Sequence, residues 1–264
     1  MSTHLIDAPP SEYTNQFYTG QCEGSLRSAR EIVPLVVSLT RPRSVVDVGC
    51  GIGTWVKMFQ DNGIPDVMGV DGAYVHRDRL LICQDRFLAV DLRKPFRMSR
   101  QFDLAVCLEV AEHLPECCAE TFVESLVALG PLVLFSAAIP YQGGTHHVNE
   151  QWPEYWAARF LKHDYVPVDC IRRRIWNHPD VEPWYAQNTL LFVKRAELDH
   201  YPSLQTDFRS TLPDRLAMIH PDVYMQWADP VRRHPRYASL GKVLAAVPYA
   251  LRKALRAKLG LKAE

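Results

Sequence analysis

Val45-Val46-Asp47-Val48-Gly49-Cys50-Gly51-Ile52-Gly53-Thr54-Trp55 is the stretch on which the reading of the chain turns. A β-branched run closes on an acid, three glycines follow at alternate positions, and a helical pattern begins at Thr54. Glycines permit a tight turn and close approach of a ligand to the backbone. The helix behind them offers unpaired N–H groups to a negative group. A dinucleotide fingerprint needs GxGxxG. Counting from Gly49 its third glycine position is Thr54, and counting from Gly51 it is Val56, so an NAD pyrophosphate is disfavoured. A P-loop is excluded because no GK[ST] follows. What remains is GxGxG with an acid two residues before it.

Outward from this turn the chain alternates strands and helices. Ser44–Val48, Val67–Val70, Arg86–Val90, Phe102–Leu108 and Leu132–Ile139 read as strands. Residues 26–40, 54–62, 117–129 and 153–161 read as helices. Pro34 makes the first of these short, kinked or late to begin. Residues 165–176 and 188–195 read as two final strands, perhaps a hairpin. Alternating βα units imply an α/β domain with a doubly wound, mostly parallel sheet, whose ligands bind beyond the C-terminal strand ends. Asp47, Asp71, Asp91 and Glu109 all fall at such ends. Any one of them alone reads more readily as a helix cap or a solvated turn residue.

Composition excludes several classes. The 264 residues are 47% hydrophobic and 23% charged, so the chain is neither disordered, collagenous nor a coiled coil. No apolar run reaches bilayer-spanning length; the longest, Leu126–Tyr141, is broken by Gly130, Pro131 and Pro140. Residues 1–11 lack a signal-peptide pattern. The seven cysteines show no paired spacing, and Cys117-Cys118 fits no zinc or redox motif, which suits reduced thiols in the cytoplasm. Net charge is zero, but residues 231–264 hold nine of the thirty basic residues and one of the thirty acids, leaving −8 on the rest. An acidic body argues against a nucleic-acid partner.

With these motifs in order, residues 26–195 resemble the class I S-adenosylmethionine-dependent methyltransferases, in the type 11 and 12 branch. The resemblance implies a Rossmann-like seven-stranded sheet with an antiparallel last strand, placed in a domain of residues 1–198; the Pro-rich, partly helical extension over 199–264 is read from the residues themselves. It implies that Asp47, Gly49, Cys50, Gly51, Gly53, Thr54 and Trp55 hold the methionine part of S-adenosyl-L-methionine. Asp71 and Gly72 would meet the ribose hydroxyls, Asp91 and Leu92 the adenine, with Leu108 and Glu109 closing the site. The chemistry agrees: a carboxylate accepts two ribose hydroxyls, and Asp91 can accept from an exocyclic amine.

Methyl transfer to oxygen usually needs a base near neutral pKa, and histidine is the natural one. His147 is the first candidate and His113 the second. The alternative is that His113 caps a helix while His146 and His147 brace their loop. The loop after the fifth strand, with His146, Asn149, Glu150 and Trp152, would position the substrate. Tyr18 belongs to a polar aromatic segment, 12–28, expected to lid the acceptor pocket; Tyr13, Ser25 and Arg27 share it. Trp176, Trp184, Tyr185, Gln187 and Asn188 are further candidates. A less favoured alternative places a divalent metal on Glu109, Glu112, His113 and His147, resembling small-RNA 2′-O-methyltransferases.

The extension carries Pro202, Pro213, Pro221, Pro230 and Pro235, then a basic amphipathic helix over 239–261 suited to packing, homo-oligomer contact or an anionic membrane surface. The reading is an enzyme that methylates a small polar acceptor, at oxygen, with a leaning to a saccharide or glycosylated metabolite. The alternatives are a catalytically inactive partner subunit, or a metal-dependent RNA methyltransferase.

Overall fold

A computed structural model describes residues 15–228 and four isolated positions between 244 and 251. Among the described residues, 15–220 form one compact unit, and α8 (Pro221–Ala228) belongs to a second. The basic helix expected over 239–261 lies outside the described residues as a continuous element.

The first unit is a seven-stranded sheet in the order β3-β2-β1-β4-β5-β7-β6. Its strands are β1 (Ser44–Val48), β2 (Asp66–Asp71), β3 (Phe87–Ala89), β4 (Leu104–Leu108), β5 (Leu132–Ser136), β6 (Tyr165–Val168) and β7 (Leu190–Lys194). β7 alone runs antiparallel, between β5 and β6. Both faces are covered, so the strands are apolar throughout and alternate residues feed two cores. Val45, Leu104, Val106, Leu132 and Leu134 enter one core, with α1 (Asn15–Thr40) and α2 (Thr54–Asp61) over them. Val46, Val48, Ala105, Cys107, Val133 and Phe135 enter the other, with α3 (Ala119–Val127) and α4 (Pro153–Lys162).

Three local expectations change. The first helix starts at Asn15 rather than residue 26 and runs through Pro34. Its inward stripe, Ala29, Ile32, Val33 and Val36, is fully buried, and that anchorage outweighs one lost backbone hydrogen bond. The expected strand 165–176 stops at Val168; residues 172–175 form α5 (Arg172–Ile175) instead. Ile171 and Ile175, four residues apart, bury the same face, a helical spacing that the β-branched composition disguised. The chain then returns through α6 (Pro183–Asn188), so β6 and β7 pair antiparallel without being a tight hairpin.

Residues 195–220 lie over the sheet domain as a strap containing α7 (Gln205–Ser210). Arg172 is 1% exposed and fastens it. Its guanidinium donates to both Asp169 oxygens at 3.0 and 2.7 Å and to the carbonyls of Leu216 and Gln187 at 2.7 and 3.2 Å. Glu154 accepts from the Leu216 and Ala217 amides, and Gln187 Oε1 from the His220 amide at 2.9 Å. Removing one partner of a buried ion pair leaves the other uncompensated. Arg172→Met is therefore expected to lower unfolding free energy by about 3 kcal/mol in urea titration; an unchanged midpoint would contradict this role for the strap.

Candidate functional site

β1, β2 and β4 end side by side at one sheet edge, and the β1–α2 turn crosses it. Gly49 and Gly51 have φ of 81° and 55°, which glycine adopts freely. A Cβ at Gly49 would lie 2.3 Å from Val110, so that glycine is required for packing. A Cβ at Gly51 would meet nothing within 4 Å, so the turn presents bare backbone to open space there. Gly53, with φ 88°, opens α2, and Thr54 and Trp55 are buried in its first turn. Trp55 meets Tyr185 edge-on at 5.2 Å, and the Tyr185 hydroxyl lies 3.1 Å from Ser25 of α1. Cys50 turns inward against Gly69, whose Cβ would sit 2.7 Å from the sulfur, leaving Cys50 only its backbone for a ligand.

The acids differ in what they hold. Asp71 is engaged: Oδ2 accepts from the Gly51 amide at 2.7 Å, and Oδ1 from the Gly72 amide at 2.6 Å and the Tyr74 hydroxyl at 2.5 Å. Burial raises its pKa and these donors pull it back. Asp47 is 2% exposed and its Oδ2 has no partner. Burial, then the charge of Asp71, pushes it up to about 8. A buried carboxyl oxygen beside an open glycine turn fits a ligand that brings a cationic or donor group. Asp91 lies two residues beyond β3 and is gripped by Arg93 at 2.9 and 3.1 Å, which holds it below the usual carboxylate range. An adenine amine there would share the carboxylate with that guanidinium. Leu92 and Leu108 are both buried, in the two different cores.

The acceptor side is built from the end of β4 and the loop 137–152. Glu109 has φ 55° and follows β4 directly. Its Oε1 accepts from Asn188 at 3.1 Å and its Oε2 from Gln142 at 3.0 Å. Gln142 Oε1 in turn accepts from Asn188 and Gln187 at 2.9 and 3.1 Å. Burial raises Glu109 against these hydrogen bonds. Glu112 is 0% exposed and neither carboxyl oxygen has a partner. Burial first, then the charge of Glu109, pushes its pKa well up. His113 and His147 meet edge-on with ring centres 4.8 Å apart, and desolvation lowers His113 to about 4. His147 Nδ1 lies 2.9 Å from Glu150, whose oxygens also accept from the Tyr141 and Gly143 amides at 2.8 Å each. Gly144 leaves room beside the ring; a Cβ there would stand 2.2 Å from His147 Nε2.

The structure thus brings Asp47, Asp71, Glu109, Glu112, His113 and His147 to one edge. Glu112, His113 and His147 offer donor atoms all within 4.8 Å of one another; Glu109, the fourth residue of the metal alternative, is not in that set. Glu150 braces its loop, and Asn149 is 3% exposed with its Nδ2 unpaired. His146 and Trp152 are exposed on the same loop. Tyr18 lies on α1 with its side chain outside the described residues, as is all of Tyr13. Gln142 and Tyr74 carried no signal in the sequence, since each acts through a side chain from a loop without a motif.

A methyltransferase-domain family model matches residues 24–169. The chain belongs to this methyltransferase family. It is a S-adenosylmethionine-dependent methyltransferase of class I fold. No curated protein matches it. Among solved structures, the sugar N-methyltransferase KedS8 of a Streptoalloteichus species is similar at TM-score 0.52 and 14% identity, covering 74% of this chain and 98% of that one. A Nostoc punctiforme protein assigned as an O-methyltransferase gives 0.51 and 16%, over 68% and 59%. The magnesium protoporphyrin IX methyltransferase of Synechocystis, crystallised with S-adenosylhomocysteine, gives 0.47 and 16%, over 66% and 85%. At these identities the likeness is one of fold. Among the described residues no helix is long and apolar enough to cross a membrane.

Asp47 yields a pH-dependent expectation. Its folded pKa is raised, so its contribution is fully present below the unfolded value and is lost as pH rises through about 8. Asp47→Asn removes that loss. Its unfolding midpoint should exceed that of the wild type by more at pH ~9 than at pH ~5. Its affinity for S-adenosylhomocysteine should fall by roughly ten-fold, the loss of one charge-assisted hydrogen bond. Equal thermal shifts at both pH values would refute the buried-charge account.

Proposed function

We propose that the enzyme methylates a small polar acceptor, saccharide-like in class, that presents a hydroxyl or amine to the Glu109–His147 side of the site. The supporting observation is the His147–Glu150 pair, held beside Glu109 and His113 on the sheet edge that also carries Asp47 and Asp71. Bound S-adenosylmethionine supplies an electrophilic methyl group on a sulfonium sulfur. Asp47, the Gly49–Gly53 backbone and Asp71 would hold that cofactor, and Asp91 would meet its base. Trp152 and Tyr141 are exposed on the acceptor loop, where aromatic faces suit a ring.

His147 is the base in this reading. In the tautomer that donates Nδ1–H to Glu150, Nε2 carries the lone pair. His113, held neutral by desolvation, keeps a second positive charge away from that ring. Glu150 is itself fixed by two backbone amides, so the imidazole is oriented by the loop rather than by the substrate. We place the protein in the cytoplasm, on the strength of the six free cysteines among the described residues.

The test is transfer of labelled methyl from S-adenosylmethionine into a fractionated small-molecule extract. His147→Gln should lower kcat by about 10²–10³-fold, the usual loss for a general base, and leave S-adenosylhomocysteine affinity unchanged. Asp71→Asn should do the reverse, weakening cofactor binding first. Full activity in His147→Gln would remove it as the base, and label entering only RNA would overturn the acceptor class.

A further inference from the structure

Among the described residues, the acceptor side holds two buried carboxyl groups, Glu109 and Glu112, with no lysine or arginine paired to them. Glu112 is wholly buried, beside the Glu109 carboxyl, and neither of its oxygens has a side-chain donor; the charged form of Glu109 is supported by the amides of Asn188 and Gln142, by Ser136 and by His147. Among the described residues, no lysine or arginine forms an ion pair with either carboxyl group; the one ion pair at this end of the site is His147 with Glu150. A buried carboxyl left without a partner is destabilising whether charged or neutral. A fold that keeps one is shaped for a cation that arrives from outside. We propose that Glu109, Glu112, His113 and His147 form a seat for the acceptor's own ammonium group, so that the acceptor is an amine.

The inference rests on the methyl-transfer reading above and replaces the oxygen acceptor expected from sequence. The spacing admits an ammonium ion. Partners of a –NH3⁺ group stand about 2.8 Å from nitrogen in tetrahedral directions, hence about 4.6 Å from one another. The donor atoms of Glu112, His113 and His147 all lie within 4.8 Å of one another. The unprotonated nitrogen of an imidazole and the oxygens of an ionised carboxylate are acceptors, matching a group that only donates. The amides of Gln142 and Asn188 face Glu109 with their N–H groups, so they leave its anionic character in place rather than cancelling it. An ammonium held there must lose one proton before its nitrogen can take a methyl group, and His147 accepts that proton on Nε2.

The seat can be tested by binding alone, with the full chain in EDTA and S-adenosylhomocysteine present. Ethanolamine is compared with ethylene glycol, and D-glucosamine with D-glucose, by saturation-transfer NMR at millimolar concentrations. The amine of each pair should bind roughly ten-fold or more tightly, the worth of a charge-assisted hydrogen bond. Glu112→Gln keeps the shape of the site, removes its charge, and should abolish that preference. S-adenosylhomocysteine affinity, measured on the same variant, should not move. Equal binding of amines and alcohols, no binding of either amine, or a preference that survives Glu112→Gln would overturn the seat. So would amine binding that requires Mn²⁺, which would make the site a metal centre. If the amine preference holds but S-adenosylhomocysteine does not bind, the seat stands and the methyl-transfer reading falls.

Discussion

Carboxyl groups stripped of water at one edge of a parallel sheet are the constraint around which the rest of the molecule is arranged. β1, β2 and β4 are central strands covered on both faces, so a side chain at their ends has little access to solvent. Asp47 and Glu112 have buried oxygens without partners, and Asp71 depends on two backbone amides and a tyrosine. An apolar residue at Asp47 or Glu112 would suit the isolated fold better. Sites that must bind charge are commonly kept at the expense of stability in this way. Two continuous cores, one on each sheet face, supply the stability that makes the arrangement tolerable.

The same constraint explains the polar architecture around Glu109. Its carboxylate is held by Asn188 and Gln142, these are braced by Gln187, and Gln187 accepts the amide of His220 at the end of the strap. Arg172 ties the strap to the other side of Gln187 through its carbonyl. A chain of amides therefore runs from residues far beyond the glycine turn to the acid at the end of β4. Amide side chains serve here because they orient a carboxylate without neutralising it.

The fold was legible wherever a periodicity had one reading. The glycine turn, the apolar strands β1, β4 and β5, and the helix before Gly130 are placed as their patterns say. Residues 169–176 were misread because Ile171 and Ile175 satisfy a strand composition and a helix spacing at once. Pro183 at the start of α6 is a usable helix-start signal. Asp47, Asp71, Glu109, His113 and His147 lie at one edge because strand ends converge in this topology, so their position along the chain alone brings them together. Gln142, Gln187 and Asn188 come together only through the returning helix α6 and the loop 137–152, and no local pattern announces such a network. Glu112 was visible only as part of a ligand motif. Its burial without partners, which gives it meaning, is a tertiary property.

If the buried acids are uncompensated charge sites awaiting a cationic ligand, binding must expel a proton. Titration calorimetry of S-adenosylhomocysteine at pH ~7 in two buffers of different ionisation enthalpy counts that proton directly. With Asp47 poised at about 8, the wild type should release about one proton per cofactor bound, and Asp47→Asn should release none. Identical proton release in the two proteins, or none in either, would contradict the claim that this sheet edge is held in readiness by desolvated carboxyl groups.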